Sequence, residues 1–456
     1  NEEFEDDILI DRSNTLNALN GDLVKVNLFA RRPGKRKEGE VVEVLERSRH
    51  EFAGTVQVSG KFAFLAADNA RNGVDIFIPL SALNGANNGD KAVAKITEWL
   101  PDAKNPQGEI VRVLGRPGEN NAEMDAILVE YGFPLEFPPE VEKEAEEIPY
   151  RIPRKEIAKR RDFREIPTFT IDPVDAKDFD DALSVLTLPS GNLEVGIHIA
   201  DVSFYVTPGS ALEEEAFDRA TSVYLVDRVI PMLPEKLSNL VCSLRPGEDK
   251  LCYSAVFEID AEANVLSEWF GRTIIHSKRR FTYEEAQAVI ETGEGDMKEL
   301  ILPMHQLALK LRSKRFANGA ITFDRVEVKF RLDEAAHPVD VYLKENKDSN
   351  KLIEEFMLLA NRRVAEFVGK KMTEKEGKEF PFVYRIHDTP VTDKLENFAL
   401  FAARFGYKMN TRSEKDIAHS LNKLMKDIKG KREENVLEQL AIRTMSKAIY
   451  TTDNIG

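Results

Sequence analysis

Apolar and polar positions change rhythm along this chain, and the rhythm divides it into regions. Leu193, Val195, Ile197 and Ile199 alternate strictly with other positions, the period of a half-buried strand. Phe52 to Val58 and Gly60 to Leu65 read as two further strands, with Phe62 and Phe64 two apart and therefore on one face. Strands are predicted from Thr168 to about Val206. From about Tyr283 onward the period becomes helical. Asp348 or Ser349 is placed to cap a helix whose stripe is Ile353, Phe356, Ala360, Val364 and Phe367. Residues 321–345 read as a strand pair between helices, and a last helix is expected over Glu433 to Tyr450. Between the regions, Glu123 to Tyr131 and a charged stretch from Pro139 to Glu147 read as short helices.

A repeat underlies the first region. Asp7 to Asp22 recurs as Asp75 to Asp90 at a constant offset of 68 residues, sharing Asp-Ile-x-Ile, a Ser, an Ala and Asn-Gly-Asp. Each copy reads as a strand, a polar turn and an Asn-Gly turn into the next strand. Joined to the strands before it, the second copy resembles a cold-shock domain, a small OB-fold barrel. That resemblance implies that Phe62, Phe64 and Phe77 stack on nucleic-acid bases; the competing reading is that these rings are barrel core. The first copy starts inside its domain, so the chain is expected to begin within a first OB domain.

Composition narrows the class. Of 456 residues, 42% are hydrophobic and 31% charged, ordinary values for a globular chain of about three domains. No apolar run reaches the ~18 residues of a membrane span. The two cysteines, Cys242 and Cys252, form no CxxC pair and read as buried thiols in a reducing cytosol. A net charge of −15 excludes an evenly basic nucleic-acid binder but permits local basic tracks. Three stand out: Arg31 to Lys37, Arg151 to Arg164 and Lys278 to Arg280, each by default a solvated face. The second follows the acidic run Glu136 to Glu147, and this sharp change of sign argues for an arranged field.

Chemistry concentrates in Thr170 to Val185, which holds Asp172, Asp175, Asp178, Asp180 and Asp181 beside an apolar strand. Carboxylates this dense repel one another unless a cation neutralises them, and oxygen-only donors select a hard cation, Mg²⁺ or Mn²⁺. Counting an EF-hand from Asp178 puts Leu183 and Pro189 where Gly and Glu are required, so that reading fails. An Asp-x-Asp of a glycosyltransferase and a purely structural Asp-rich turn stay open on spacing alone.

The pattern Asp-x5-Asp-x-Asp-Asp after a Thr-Ile strand resembles the signature of the ribonuclease II/ribonuclease R family. Thr221 to Ser254, Gly319 to Phe330, Asn350 to Asn361 and the closing Leu440 to Gly456 follow in that family's order, nearer to its ribonuclease R branch. The resemblance implies N-terminal all-β OB-fold domains followed by an α+β catalytic domain. The expected limits are 1–48 and 49–117 for two cold-shock-like domains, 118–165 for a connector and 166–456 for the catalytic domain. It implies a cytoplasmic, monomeric 3′→5′ exoribonuclease that hydrolyses single-stranded RNA with Mg²⁺ held by Asp172, Asp178, Asp180 and Asp181. Tyr224 and Phe323 correspond to aromatics that clamp the terminal bases, and Glu354 to an acidic residue near the terminal nucleotide. Helical spacing puts Glu354 with Leu358 and Asn361, which predicts Glu354 inward and Glu355 solvated. The chain departs from the family pattern at its end: no Gly-His-Phe-Gly segment, no arginine-bearing Ser-Pro-Ile-Arg-Arg segment and no further OB domain follow Gly456. Two alternatives are a non-catalytic RNA-binding fragment or paralogue and an HD-type phosphohydrolase resting on His387-Asp388.

Overall fold

The computed structural model describes residues 7–30, 36–68, 74–100, 103–322, 327–334, 336–378 and 380–453. Phe323 lies outside them, as do Arg31, Arg32 and Lys35 of the first basic track. The chain forms two compact units: 1–142 with 216–232 and 331–340, and the remainder.

In the first unit, β1 (Leu9–Ile10), β2 (Leu23–Leu28) and β3 (Glu38–Glu46) make a three-stranded sheet in the order β1-β3-β2. The next five strands, β4 (Glu51–Ser59), β5 (Phe62–Ala67), β6 (Ile76–Ile78), β7 (Lys91–Glu98) and β8 (Gln107–Gly115), close into a barrel. Its interior is Val56, Ala63, Leu65, Ile76, Ile78, Ala92, Ala94 and Ile110, the inward half of each alternation. Gly54 is required where β4 crosses β5, because a Cβ there would sit 2.3 Å from the Ala66 carbonyl oxygen.

The sequence repeat is also a structural one. In each copy a strand ends in a short 3₁₀ turn, Arg12–Asn14 in the first and Leu80–Ala82 in the second. An aspartate then closes the following turn: Asp22 accepts from the Leu19 amide at 2.9 Å, and Asp90 accepts from the Asn87 amide at 2.8 Å. Gly21 and Gly89 take φ of +95° and +88°, which explains why Asn-Gly-Asp is common to both copies.

The second unit is built on a seven-stranded sheet. Its strands are β9 (Arg161–Phe163), β10 (Thr168–Asp172), β11 (Asp181–Thr187), β12 (Leu193–Ala200), β13 (Asp249–Ile259), β14 (Val265–His276) and β15 (Arg279–Thr282), in the spatial order β15-β10-β11-β12-β13-β14-β9. One face is apolar: Phe169, Ile171, Leu183, Val185, Val195, Ile197 and Phe257 pack with Ala286, Ile301, Met304, Leu352 and Phe356 of the helices that follow. Those helices include α1 (Tyr283–Thr292), α2 (Lys298–Ala317) and α3 (Asp348–Glu366). Burial on this scale contributes about 25 cal/mol per Å² of apolar surface. Several other buried sheet positions are polar, and four of them pair with one another. His198 contacts Ser184 Oγ at 2.8 Å and Ser254 Oγ at 2.7 Å, and Ser254 meets Thr273 Oγ1 at 2.6 Å.

Three expectations need correction. Neither Asp348 nor Ser349 caps α3, which begins at Asp348 after Lys347, and the Lys347 amide donates to Asn350 Oδ1 at 3.0 Å. The final helix ends at Thr444, and Ile449–Thr451 instead forms a strand paired with Tyr384–Ile386. Local helix preference there yields to a non-local backbone partner. The run of strands ends at Ala200, after which Val202–Tyr205 is a helical turn.

Candidate active site

The aspartate-rich segment is the connection between two adjacent strands of the seven-stranded sheet. Asp172 is the last residue of β10 and Asp181 the first of β11, so residues 173–180 must turn the chain within one strand spacing. This brings the carboxylates together. Asp172 is buried and keeps its proton to about pH 6, first because of burial, with Asp178 and Asp180 adding to it and Arg280 opposing it. Asp181 is pushed up to about 7 by burial, then by Asp172 and Asp180. Asp180 is also raised, by burial and by Asp178. All four aspartates therefore act within one electrostatic cluster.

The cluster fits a cation in its donor chemistry. Asp172 Oδ2 is buried and has no hydrogen-bond partner among the described residues, an acceptor in need of positive charge. Among the described residues no group of three or more His, Cys, Asp or Glu side chains is arranged so that it could hold a metal ion as it stands. Mutual repulsion keeps uncompensated carboxylates apart, so the group is a coupled cluster and not a ready-made cage.

Several residues of this site were not singled out by the sequence. Tyr283 follows Thr282, whose register opposite Asp172 carries it to the cluster. Its phenol is pushed up to about 12 by burial and by Asp181 and Asp172. A capping box fixes the turn: Thr282 Oγ1 accepts from the Glu285 amide at 3.0 Å, and the Thr282 amide donates to Glu285 at 2.8 Å. Arg280, read from sequence as part of a solvated basic track, donates to the Pro173 carbonyl and lies 5.5 Å from the centre of the Phe179 ring. No single-residue pattern could have shown this, since it depends on β15 lying parallel to β10.

Other sequence-derived positions fall as follows. Phe62 and Phe64 point out of the barrel, Phe62 being 40% exposed, while Ala63 and Leu65 between and after them point in. With Phe77 opposite Phe64 they make one aromatic patch, with ring centres 5.6, 5.7 and 6.2 Å apart. None of the three rings is among the buried residues of the barrel core. Tyr224 is in the first unit, 66% exposed, on a two-stranded ribbon (Val223–Tyr224 with Val229–Ile230). The orientation expected of the glutamate pair is reversed. Glu355 is 3% exposed and is held by Arg315 and Arg312, whereas Glu354 is exposed and pairs with Arg315 at 3.0 Å. The basic residues of α2 decide this: helix-face counting considers α3 alone and not the two arginines packed against it.

The Arg151–Arg164 track is also divided. Arg160 is buried and pairs with Glu156 at 2.8 Å and Asp201 at 2.7 Å. Arg161 pairs with Glu194 at 2.9 Å, and Arg164 pairs with Asp162 at 2.6 Å. Arg151, Arg154 and Lys155 are exposed and make no ion pair among the described residues.

Comparison with known proteins decides the family. Residues 160–456 match the RNB domain. The chain belongs to the RNB family. Ahead of the RNB domain, residues 64–138 match the cold shock domain and residues 1–44 the ribonuclease B OB domain. Ribonuclease R of Thermotoga maritima is 37% identical over all of this chain and 64% of its own length. Ribonuclease R 1 of Lactococcus lactis is 35% identical over 99% of this chain and 57% of its own length. The chain thus spans roughly three fifths of these relatives. The structure of Mycoplasma genitalium RNase R in complex with ribose methylated single-stranded RNA superposes with a TM-score of 0.87 at 25% identity, over 97% of this chain and 70% of that one. The architecture, N-terminal OB and cold-shock β domains followed by an RNB catalytic domain, is the one the sequence implied.

Proposed function

We propose that this chain carries the hydrolytic centre of a 3′→5′ exoribonuclease that releases nucleoside 5′-monophosphates from single-stranded RNA. The observation that supports it most directly is the coupled cluster of Asp172, Asp178, Asp180 and Asp181 at the β10–β11 connection of an RNB domain. Asp172 and Asp181 hold protons to near neutrality when unneutralised, so binding a divalent cation displaces them. We place Mg²⁺ on these aspartates, where when bound it supplies an activated water and charge stabilisation for the leaving 3′-oxygen. Tyr283, protonated at neutral pH, offers a hydrogen-bond donor beside these aspartates.

Binding follows from a different chemistry. The patch of Phe62, Phe64 and Phe77 offers π-faces to bases of any identity, which gives affinity without sequence preference. Arg151, Arg154 and Lys155 are placed to neutralise phosphates, and contacts to the 2′-OH would distinguish RNA from DNA. Tyr224, Phe323 and Glu354 are assigned to the terminal nucleotides on the family resemblance alone. Domain limits near residues 48, 117 and 165 belong to the same reading. Among the described residues no helix is long and apolar enough to cross a membrane. The thiols of Cys242 and Cys252 are free and buried, which suits a reducing compartment, and we place the protein in the cytoplasm as a monomer.

The test is the Asp180→Asn variant of the full-length protein, incubated with labelled single-stranded RNA and Mg²⁺. Monophosphate release is expected to be abolished while RNA affinity stays nearly unchanged, because stacking and backbone contacts remain. Equal loss of binding and turnover would make Asp180 structural, and an unmutated protein that binds RNA but releases nothing would make this a non-catalytic binder.

A further inference from the structure

We propose that Ser243 is a positioning residue that sets the geometry of the aspartate loop, assisted from the opposite end of that loop by Arg280. The Ser243 hydroxyl is fully buried and used in both directions. It accepts a hydrogen bond from the Phe179 amide at 3.0 Å and donates one to the Lys177 carbonyl at 2.8 Å. The next residue adds a third bond, the Leu244 amide donating to the Phe179 carbonyl at 2.8 Å. Asp178 lies between the two residues that Ser243 holds, and Asp180 follows directly after Phe179. On the far side of Asp180 the Ala200 amide donates to its carbonyl at 3.0 Å. The backbone around two of the four aspartates is therefore fixed by partners from outside the loop.

The support for Ser243 is itself braced. Ser243 follows a helical turn over Lys236–Val241, and the buried Lys250 ammonium donates to the Leu240 carbonyl and reaches the Val241 carbonyl at 3.4 Å. At the other end of the loop, Arg280 holds the Pro173 carbonyl and lies over the Phe179 ring. Repulsion among the carboxylates pushes the loop apart, and these anchors oppose it. Carboxylates that must share a cation require placement to within about half an ångström, which is the role of such supporting contacts.

Ser243→Ala removes both side-chain bonds and leaves the part-buried Phe179 amide and Lys177 carbonyl without this partner. This inference rests on the RNA-hydrolysis reading for its kinetic consequence, but not for its structural one. The experiment uses the full-length protein with two readouts. Residue-level hydrogen exchange is measured on the unmutated protein first, and the Phe179 amide is expected to be protected relative to the loop amides around it. In Ser243→Ala, exchange across residues 177–180 should quicken by about tenfold or more while β12 stays protected. Turnover on single-stranded RNA should fall by about 10²-fold with KM changed by less than about twofold, since misplacement affects the reacting groups and not the RNA-binding surfaces. Arg280→Met, which releases the other anchor, should shift both readouts the same way. A Phe179 amide exchanging at the unprotected rate in the unmutated protein overturns the proposal without any variant. So does a folded Ser243→Ala protein with undiminished kcat. An unmutated protein that does not hydrolyse RNA overturns the functional reading instead, and the exchange difference then still decides whether Ser243 holds the loop.

Discussion

At the scale of single residues, burial governs the behaviour of the charged and titratable groups. Asp172 and Asp181 titrate at about 6 and about 7 in the fold, against an ordinary value of 3.8. The folded chain therefore holds protons there that the unfolded chain has lost, and the stability these two groups contribute falls as pH rises from about 4 to about 7 and is flat above that. Replacing Asp181 with Asn removes its share. In EDTA, the stability of the wild type should drop relative to Asp181→Asn across that window, followed by urea unfolding at each pH. Added Mg²⁺ at pH 7.5 should raise the melting temperature of the wild type more than that of the variant; an equal rise in both would remove Asp181 from the cation site. His198 works in the opposite sense. Burial lowers it to about 3 from 6.5, so its contribution to stability is lost as pH falls from about 6.5 toward 3. Its ring joins Ser184 to Ser254, and His198→Ala should cost about 3–5 kcal/mol through the cavity and the unpaired hydroxyls, read as a lower urea midpoint with an unchanged slope. An aspartate cluster is legible in sequence because spacing alone makes it dense. The partners of that cluster are not. Ser243, Tyr283 and Arg280 lie 63, 103 and 100 residues beyond Asp180, and only strand register and backbone pairing bring such separations together.

At the scale of elements, alternation was the most informative signal and helix-face counting the least. The barrel strand Phe62–Ala67 places each side chain on the face its parity requires, because one face of such a strand must be buried. The structural repeat was legible for the same reason: Asp22 and Asp90 make the same local bond, so the same residues are needed twice. Glu354 and Glu355 show the opposite case. Their orientation depends on Arg312 and Arg315 of a neighbouring helix, and nothing within α3 encodes it. The final strand, Ile449–Thr451, likewise exists because Tyr384–Ile386 lies beside it, a partner more than sixty residues away that local pattern cannot reveal. For the barrel, outward aromatics carry a specific expectation. Phe62→Ala or Phe64→Ala should weaken binding of short single-stranded RNA by about 1–3 kcal/mol per lost stack. Because neither ring is among the buried core residues, the melting temperature should change little. A large drop in melting temperature with unchanged RNA affinity would assign these rings to structure.

At the scale of the whole molecule, a net charge of −15 has to be reconciled with the polyanionic substrate proposed for it. The reconciliation is local, and the ion pairs show where it can occur. Arg160, Arg161 and Arg164 are occupied by Glu156, Asp201, Glu194, Asp162 and Asp249, so nearly half of the charge that the sequence track appears to offer is spent internally. Arg151, Arg154 and Lys155 carry no such pairs among the described residues. Affinity for a single strand falls with salt by about 0.7 in logarithmic slope for each phosphate neutralised, so the slope counts the cations that bind RNA. The combined substitution Arg151→Ala, Arg154→Ala and Lys155→Ala should reduce that slope by about 2 while leaving the unfolding midpoint in place. Arg161→Ala should leave the slope unchanged. Arg160→Ala should instead destabilise the fold by about 3–5 kcal/mol, because it strands Asp201 as a buried carboxylate without its principal cation. Salt titrations of RNA binding with parallel urea melts separate the three outcomes. A slope that responds to Arg161 as strongly as to the Arg151 group would mean that the internal pairs open on binding, and that the acidic partners, not the arginines alone, regulate access to the backbone.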